Sequence, residues 1–258
     1  MTPLAWRLSA AQWDVLTEVL GLEGYPVPIQ VRSTGRTRLE HSRVRADVCV
    51  ELSQLGLFRA GRIDADLEAA VRLLHWPTTW VDSVWLADAV ADQPVRVIAA
   101  RGGAAGVCAL QHPDQPGATL LEVIPTTGLA AAVVSRLPSH PPGRSFAVTV
   151  QPHGAQPAGG VLVATSPVRS NADRDLAAAA AILDKPHERA GQIAANVRDP
   201  SGQVLRSDVL RWCDNADGRY HVMVDRRSGQ STSLTIGPSD PQRLGDGVQR
   251  LLAALQPR

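Results

Sequence analysis

The chain has three cysteines, Cys49, Cys108 and Cys213, odd in number and far apart. They allow neither a disulfide framework nor a Cys-x-x-Cys metal or redox site, and a reducing cytoplasm is the expected compartment. Lysine is nearly absent: Lys185 stands alone, and the net charge is only +1. Without a concentrated basic face there is no electrostatic basis for nucleic-acid binding. The densest basic stretch, Arg32, Arg36, Arg38, Arg43 and Arg45, is broken by Glu40 and carries no interleaved aromatic, so it reads as a solvated helix face. No run approaches ~18 apolar residues, and the first residues lack a basic start followed by an apolar segment. Neither membrane insertion nor export through a signal peptide is expected.

The motifs of catalysis are missing too. There is no G-x-S-x-G elbow and no G-x-x-x-x-G-K-[ST] loop, since the one lysine precedes Pro186. The Gly-rich RGGAAG at Arg101–Gly106 runs on into a strand-like VCALQ, whereas a dinucleotide fingerprint must open into a helix. Of the seven histidines none stands at the i, i+4 spacing of a helical zinc pair, and no cysteine is near enough to complete a finger. Cys108 and Cys213 sit inside apolar strand-like runs, the setting of inert thiols. His112 and Asp114 in QHPDQPG fit a turn better than a catalytic pair, and Trp76, Trp80 and Trp85 fit packing better than sugar stacking.

One stretch, WCDNADGRYHVMV from Trp212, demands a closer test. A calcium loop needs oxygen ligands at positions 1, 3 and 5, glycine at 6 and a carboxylate at 12. Counting from Asp214 puts Ala216 at 3 and Gly218 at 5; counting from Asn215 puts Arg219 at 5 and Arg226 at 12. Both frames fail. Asp-Gly between alternating apolar runs instead signals a hairpin, with Asp217-Gly218 as the type I′ turn and Trp212 near Tyr220 across it. No catalytic residue, cofactor or metal is expected.

With about three quarters of its unfolded surface available for burial, a chain of 258 residues supports a self-sufficient core. The sequence predicts a short strand LAWRL, a helix capped by Ser9 and closed by Gly21, a helix over Thr37–Leu57 and a third capped by Asp64 and stopped by Pro77. Strands follow in TTWVDSVWLA, VRVIAA, GVCALQH and ATLLEV, then a helix ending at Pro138. After the strand SFAVTVQ and the loop HGAQPAGG, the second half has a helix SNADRDLAAAAAILDKP, strands GQIAANVRD, QVLRSDVLRW, RYHVMVD and STSLTIG, and a helix capped by Ser239. A helix ending in proline, four strands and a helix ending in proline thus occur twice. The expected fold is α+β: one domain over 1–258 built from two pseudo-repeat halves, about 1–138 and 139–258, sharing a central antiparallel β-sheet flanked by N- and C-terminal helical bundles.

The order WRLSAAQWDVL, AAAVVSRLP, GQIAANVRDPSGQVLR, WCDNADGRY and DPQRLGDGVQRLLAAL resembles the EspG family, the cytoplasmic chaperones of type VII (ESX) secretion in mycobacteria and related actinobacteria. Gly191-Gln192 looks like the family's G-Q strand start, and Asp214 with Gly218-Arg219-Tyr220 looks like its D-x-x-x-G-R-Y hairpin. The resemblance implies a quasi-two-fold fold and a protein that is not an enzyme. It implies binding to the tip of the PPE subunit in a PE–PPE heterodimer, 1:1:1, keeping it soluble and directing it to secretion. It also implies that partner contacts fall on a loop carrying Asp88, Val90 and Asp92, on Val204, Arg206, Asp208 and Leu210, and on helix residues Asp173, Leu176 and Leu183. Three other readings stand beside this one: a homodimer of the free protein, a self-associating scaffold using its sheet face, and a hydrolase joining His112, Asp114 and a strand-end acid.

Overall fold

A computed structural model describes residues 4–32, 35, 37–150, 171–225 and 233–256. The expected loop HGAQPAGG, His153 to Gly160, lies outside the described residues. Strand β1 (Ala5–Ser9) passes directly into α1 (Ala10–Val19), with Ser9 and Gln12 forming a reciprocal capping box and Gly21 ending the helix at φ 63°. Helix α2 (Arg38–Gln54) starts on the same device, Thr37 with Glu40. Its arginines Arg38, Arg43 and Arg45 are exposed, and Arg45 pairs with Glu18 at 2.9 Å. After a two-residue hairpin, β2 (Phe58–Arg59) and β3 (Arg62–Ile63), Asp64 caps α3 (Ala65–His75) by accepting from the Leu67 amide at 3.1 Å.

Strands β4 (Thr79–Leu86), β5 (Val95–Gly102), β6 (Ala105–Gln111) and β7 (Ala118–Val123) form a meander that leads to α4 (Leu129–Val134). The second half holds β8 (Val148–Val150), α5 (Asn171–Leu183), β9 (Arg189–Arg198), β10 (Val204–Arg206), β11 (Leu210–Asn215), β12 (Gly218–Asp225), β13 (Ser233–Pro238) and α6 (Pro241–Ala254). Eleven of the thirteen described strands make one sheet, ordered β1-β7-β6-β5-β4-β9-β11-β12-β13-β8 with β10 also on β9, and every strand pair in it is antiparallel. Read outward from the β4–β9 pair, the order is the same in both directions: a four-strand meander closed by one further strand.

Ser239 is not the cap of the last helix; Asp240 is, accepting from the Arg243 amide at 2.8 Å. Two expectations about the strands are also corrected. QVLRSDVLRW is not one strand: Arg206 pairs with Asn196 but Leu210 with Ile193, so three residues face two and a bulge separates β10 from β11. The Ser207 hydroxyl accepts the Ala195 N–H at 3.0 Å, replacing the ladder carbonyl that the bulge displaces. The second correction is the Asp-Gly turn. Asn215 pairs with Gly218, so the reversal is made by Ala216 and Asp217, and neither has the positive φ that a type I′ turn requires. Asn215 Oδ1 accepts from the Asp217 amide at 2.9 Å, and Gly218 takes the unusual backbone, φ 123°. In this register Trp212 pairs with His221 and Cys213 with Tyr220, so Trp212 and Tyr220 lie on opposite faces of the sheet rather than near each other.

Alternation along the strands then fixes what covers each face. Ile98, Ala100, Val107, Ala109 and Leu121 share a core with α1, α2 and α3. On the same face at the other end, Cys213, Tyr220 and Ile236 pack under Ala179 and Ile182 of α5. The opposite face buries Val81, Val97, Ile193, Ala195, Leu210 and Trp212 beneath α4 and α6. Each fully buried aliphatic contributes about 1.5–3 kcal/mol of transfer free energy. The helices therefore cover the centre of one face and the two flanks of the other, leaving β4, β9 and β10 open between α3 and α5.

Candidate partner-binding surface

A central strand with one covered face should be apolar on alternate residues, and β9 has that pattern. Ile193 and Ala195 point into the α4–α6 core, while Gln192, Asn196 and Arg198 point to the open side. The registered partners on that side are Val84 opposite Gln192, Asp82 opposite Ala194 and Trp80 opposite Asn196. Asp82 is buried and is held by a network: Arg206 donates two hydrogen bonds to its carboxylate at 2.7 and 3.0 Å, and Asn196 donates a third at 2.7 Å. Arg206 Nη1 also donates to Asn196 Oδ1 at 3.0 Å, so the amide is fixed between the two charges. Hydrogen bonding to Asp82 raises the pKa of the Arg206 guanidinium, against the lowering effect of its burial.

One end of this strip carries the exposed aromatic Trp76, 67% accessible, with the Arg198 guanidinium 5.1 Å above its ring and 5.8 Å from that of Trp80. Val204 is exposed beside Arg198 in the register, and Leu86 is exposed at the other end. Apolar anchors set among fixed polar groups are the composition of a protein-docking surface.

The expected contact residues fall around this strip. Asp88, Val90 and Asp92 are exposed on the β4–β5 loop, where Asp88 Oδ1 accepts the Val90 amide at 2.9 Å. Val204 and Arg206 lie on the strip itself. Asp208 is half-buried in the bulge, its carbonyl accepting from the Ser207 hydroxyl at 2.6 Å. Leu176 is exposed on α5 and Leu183 is half-buried against the α5 core. Asp173 belongs to the first turn of α5, with its side chain outside the described residues. Leu210 is different. It is fully buried under α6, because the bulge turns it to the covered face, and its side chain offers no docking surface.

Trp76, Trp80, Asp82 and Arg198 were not among those residues, and the tryptophan trio divides: Trp85 is in the core with Trp212, ring centroids 6.0 Å apart, while Trp76 faces outward. The signal that could have found them is the polar alternation of β9. His112 and Asp114 do meet, Nδ1 to Oδ2 at 3.3 Å, but on a loop where Asp114 is 84% exposed, and no strand-end carboxylate lines the adjoining cleft. Among the described residues no group of three His, Cys, Asp or Glu side chains is placed to hold a metal, and no helix is long and apolar enough to cross a membrane.

The hairpin motif has its own geometry. Arg219, 1% exposed, is paired across the hairpin with Asp214, which is fully buried; Nε and Nη2 donate to the two carboxylate oxygens at 2.6 and 2.8 Å. The same guanidinium donates to the Pro138 carbonyl at 2.8 Å and lies 4.7 Å from the Trp212 ring centroid. Backbone bonds tie the following segment down: Arg219 N to Pro141 O at 2.7 Å and Gly143 N to Arg219 O at 2.9 Å. A Cβ on Gly143 would collide with the Tyr220 ring, and one on Gly218 with the backbone of Pro142. Asp, Gly, Arg and Tyr together form a clamp that holds the Pro138–Gly143 segment against the hairpin. Gly191 has an equally local reason, since a Cβ there would strike Trp85 and Trp212.

No curated protein matches the chain in sequence. Among solved structures, it is similar to the Mycobacterium tuberculosis type VII secretion system chaperone EspG5, solved in complex with the PE25–PPE41 dimer. The TM-score is 0.70, with 16% identity over 98% of this chain and 97% of that one. That likeness carries the fold. The sequence model of the EspG family matches residues 9–250, spanning the capped first helix, the glycine against the tryptophan pair, the Asp214–Arg219 clamp and most of α6. The chain belongs to the EspG family.

Proposed function

We propose that this chain is a cytoplasmic chaperone that binds a PE–PPE heterodimer as a 1:1:1 complex, engaging the tip of the PPE subunit and delivering the pair to a type VII secretion system. The observation that carries the reading is family membership across nearly the whole chain, in a fold shared with a chaperone solved on a PE–PPE dimer. The open strip supports it. Trp76, Leu86 and Val204 supply apolar contact, the Asp82–Arg206–Asn196 network a fixed polar centre, and the β4–β5 loop and α5 the walls. Asp88, Val90, Asp92, Val204, Arg206, Asp208, Leu176, Leu183 and Asp173 are the proposed contacts. We read residues 1–138 and 139–258 as two pseudo-repeat halves of one domain, a reading supported by the strand order on either side of β4–β9.

The test is co-expression with each PE–PPE pair encoded in the same genome, followed by light scattering on the eluted complex. One pair co-eluting at the mass of a 1:1:1 complex is expected. Failure of every encoded pair to bind, with the chaperone folded, overturns the proposal.

A further inference from the structure

Where the strip meets the β4–β5 loop, a cleft of about 700 Å³ opens between the segment after α1, strands β5 and β6, and the β6–β7 loop. Its lining contains Arg32, Arg96 and His112 but no aspartate or glutamate. Arg96 is the best-fixed cation. Its Nη2 donates to Gln30 Oε1 at 2.8 Å, and Gln30 is anchored by Gln111, which accepts from the Gln30 amide at 2.9 Å and donates to its carbonyl at 2.8 Å. Among the described residues no carboxylate lies within ion-pair distance of Arg96, and its partial burial pushes its pKa down. Asp14 accepts the Tyr25 hydroxyl at 2.5 Å, and Asp114 is exposed beside His112.

A planar guanidinium held in place and lacking a counter-charge matches the two oxygens of a carboxylate. The cleft is roomy enough for a side chain and its neighbours. It is also continuous with the docking surface, since Gln93 and Pro94 of the β4–β5 loop form part of its wall. We infer that the cleft is a specificity pocket for an aspartate or glutamate side chain on the bound protein, with Arg96 as the direct contact and Arg32 adding positive potential. The inference rests on the function proposed above and assigns the chemistry of one of its contacts.

The experiment uses the PE–PPE pair that co-elutes with the wild-type chain. Binding of wild type, Arg96→Gln and Arg96→Lys is measured from about 50 to about 500 mM salt, together with thermal unfolding of each free variant. Arg96→Gln should weaken binding about tenfold to a hundredfold at physiological salt and flatten the salt dependence, as expected for losing a charge-assisted bidentate contact. Arg96→Lys should recover only part of the loss, because an ammonium cannot reproduce the fork. Arg96→Glu should be rescued by reversing the charge of one acidic residue on the partner. Binding of Arg96→Gln within about twofold of wild type, with the same salt dependence, overturns the inference and leaves the chaperone reading standing. If the wild type binds no pair, it is that reading which fails, and this inference falls with it.

Discussion

Replacing Arg219 with methionine tests the clamp as a structural element. Arg219 and Asp214 are both essentially excluded from solvent, and their two hydrogen bonds of 2.6 and 2.8 Å are of the short, charge-assisted kind. Methionine fills similar volume but leaves the Asp214 carboxylate with only Arg189, whose Nη1 is 3.3 Å away on a partly exposed side chain. It also leaves the Pro138 carbonyl without its 2.8 Å donor. Breaking a buried pair by removing one partner costs about 3–5 kcal/mol, a large share of the 5–15 kcal/mol that stabilises a typical domain. For a chain of this size that corresponds to a fall in Tm of roughly 6–20 °C. Urea unfolding followed by tryptophan fluorescence is the assay, because Trp212 lies directly against the guanidinium. The double variant Arg219→Met with Asp214→Leu should recover most of the loss, since a well-packed apolar pair can replace a buried ion pair. A loss under about 1 kcal/mol for the single variant, or no recovery in the double, refutes the reasoning.

The remaining expectations are more local. Gly191→Ala forces a methyl group against Trp85 and Trp212 and should cost about 1–3 kcal/mol with a shifted tryptophan emission; an unchanged urea midpoint would contradict the packing. Burial, Arg250 and Arg243 lower the pKa of His221 from its ordinary 6.5. The unfolded chain therefore binds this proton first, and the contribution to stability is complete above about pH 6.5 and lost as the pH falls below it. His221→Gln should flatten that part of the stability profile, and an identical slope in wild type and variant would count against it. Burial pushes the thiols of Cys108 and Cys213 up to about 11, while Cys49 is only half-buried. A thiol reagent near pH 8 should titrate Cys49 in the native protein and all three after unfolding; rapid native reaction at Cys108 would show the core to be more open than described.

Helix positions were legible because their ends are written chemically: Ser9 with Gln12, Thr37 with Glu40, and Asp64 are side chains that satisfy open amides within one turn. The sheet was legible from alternation. The bulge at Ser207–Val209 was hidden, because a one-residue insertion leaves composition untouched and appears only when the run is counted against its partner strand. The hairpin reversal was misplaced by one residue for a related reason. Asp-Gly fits a type I′ turn, but Asn215 has a side chain that stabilises a turn one step earlier, and the long-range pull of Pro141 and Pro142 on Arg219 and Gly218 is invisible locally. The same bulge removed Leu210 from the surface. The docking strip was only partly legible, since Trp76 and Arg198 meet across more than a hundred residues of chain, although the polar alternation of Gln192, Asn196 and Arg198 carried the hint.

The most direct test of the account is hydroxyl-radical footprinting of the free chain against its PE–PPE complex. Trp76, Val204 and Leu86 are exposed on the open face, while Leu120 is exposed on the opposite face, beside Cys108 and Glu122. The account predicts protection of Trp76, Val204 and Leu86 on binding, with Leu120 oxidised at the same rate in both. A stable complex in which Leu120 is protected and Trp76 and Val204 are not would contradict it.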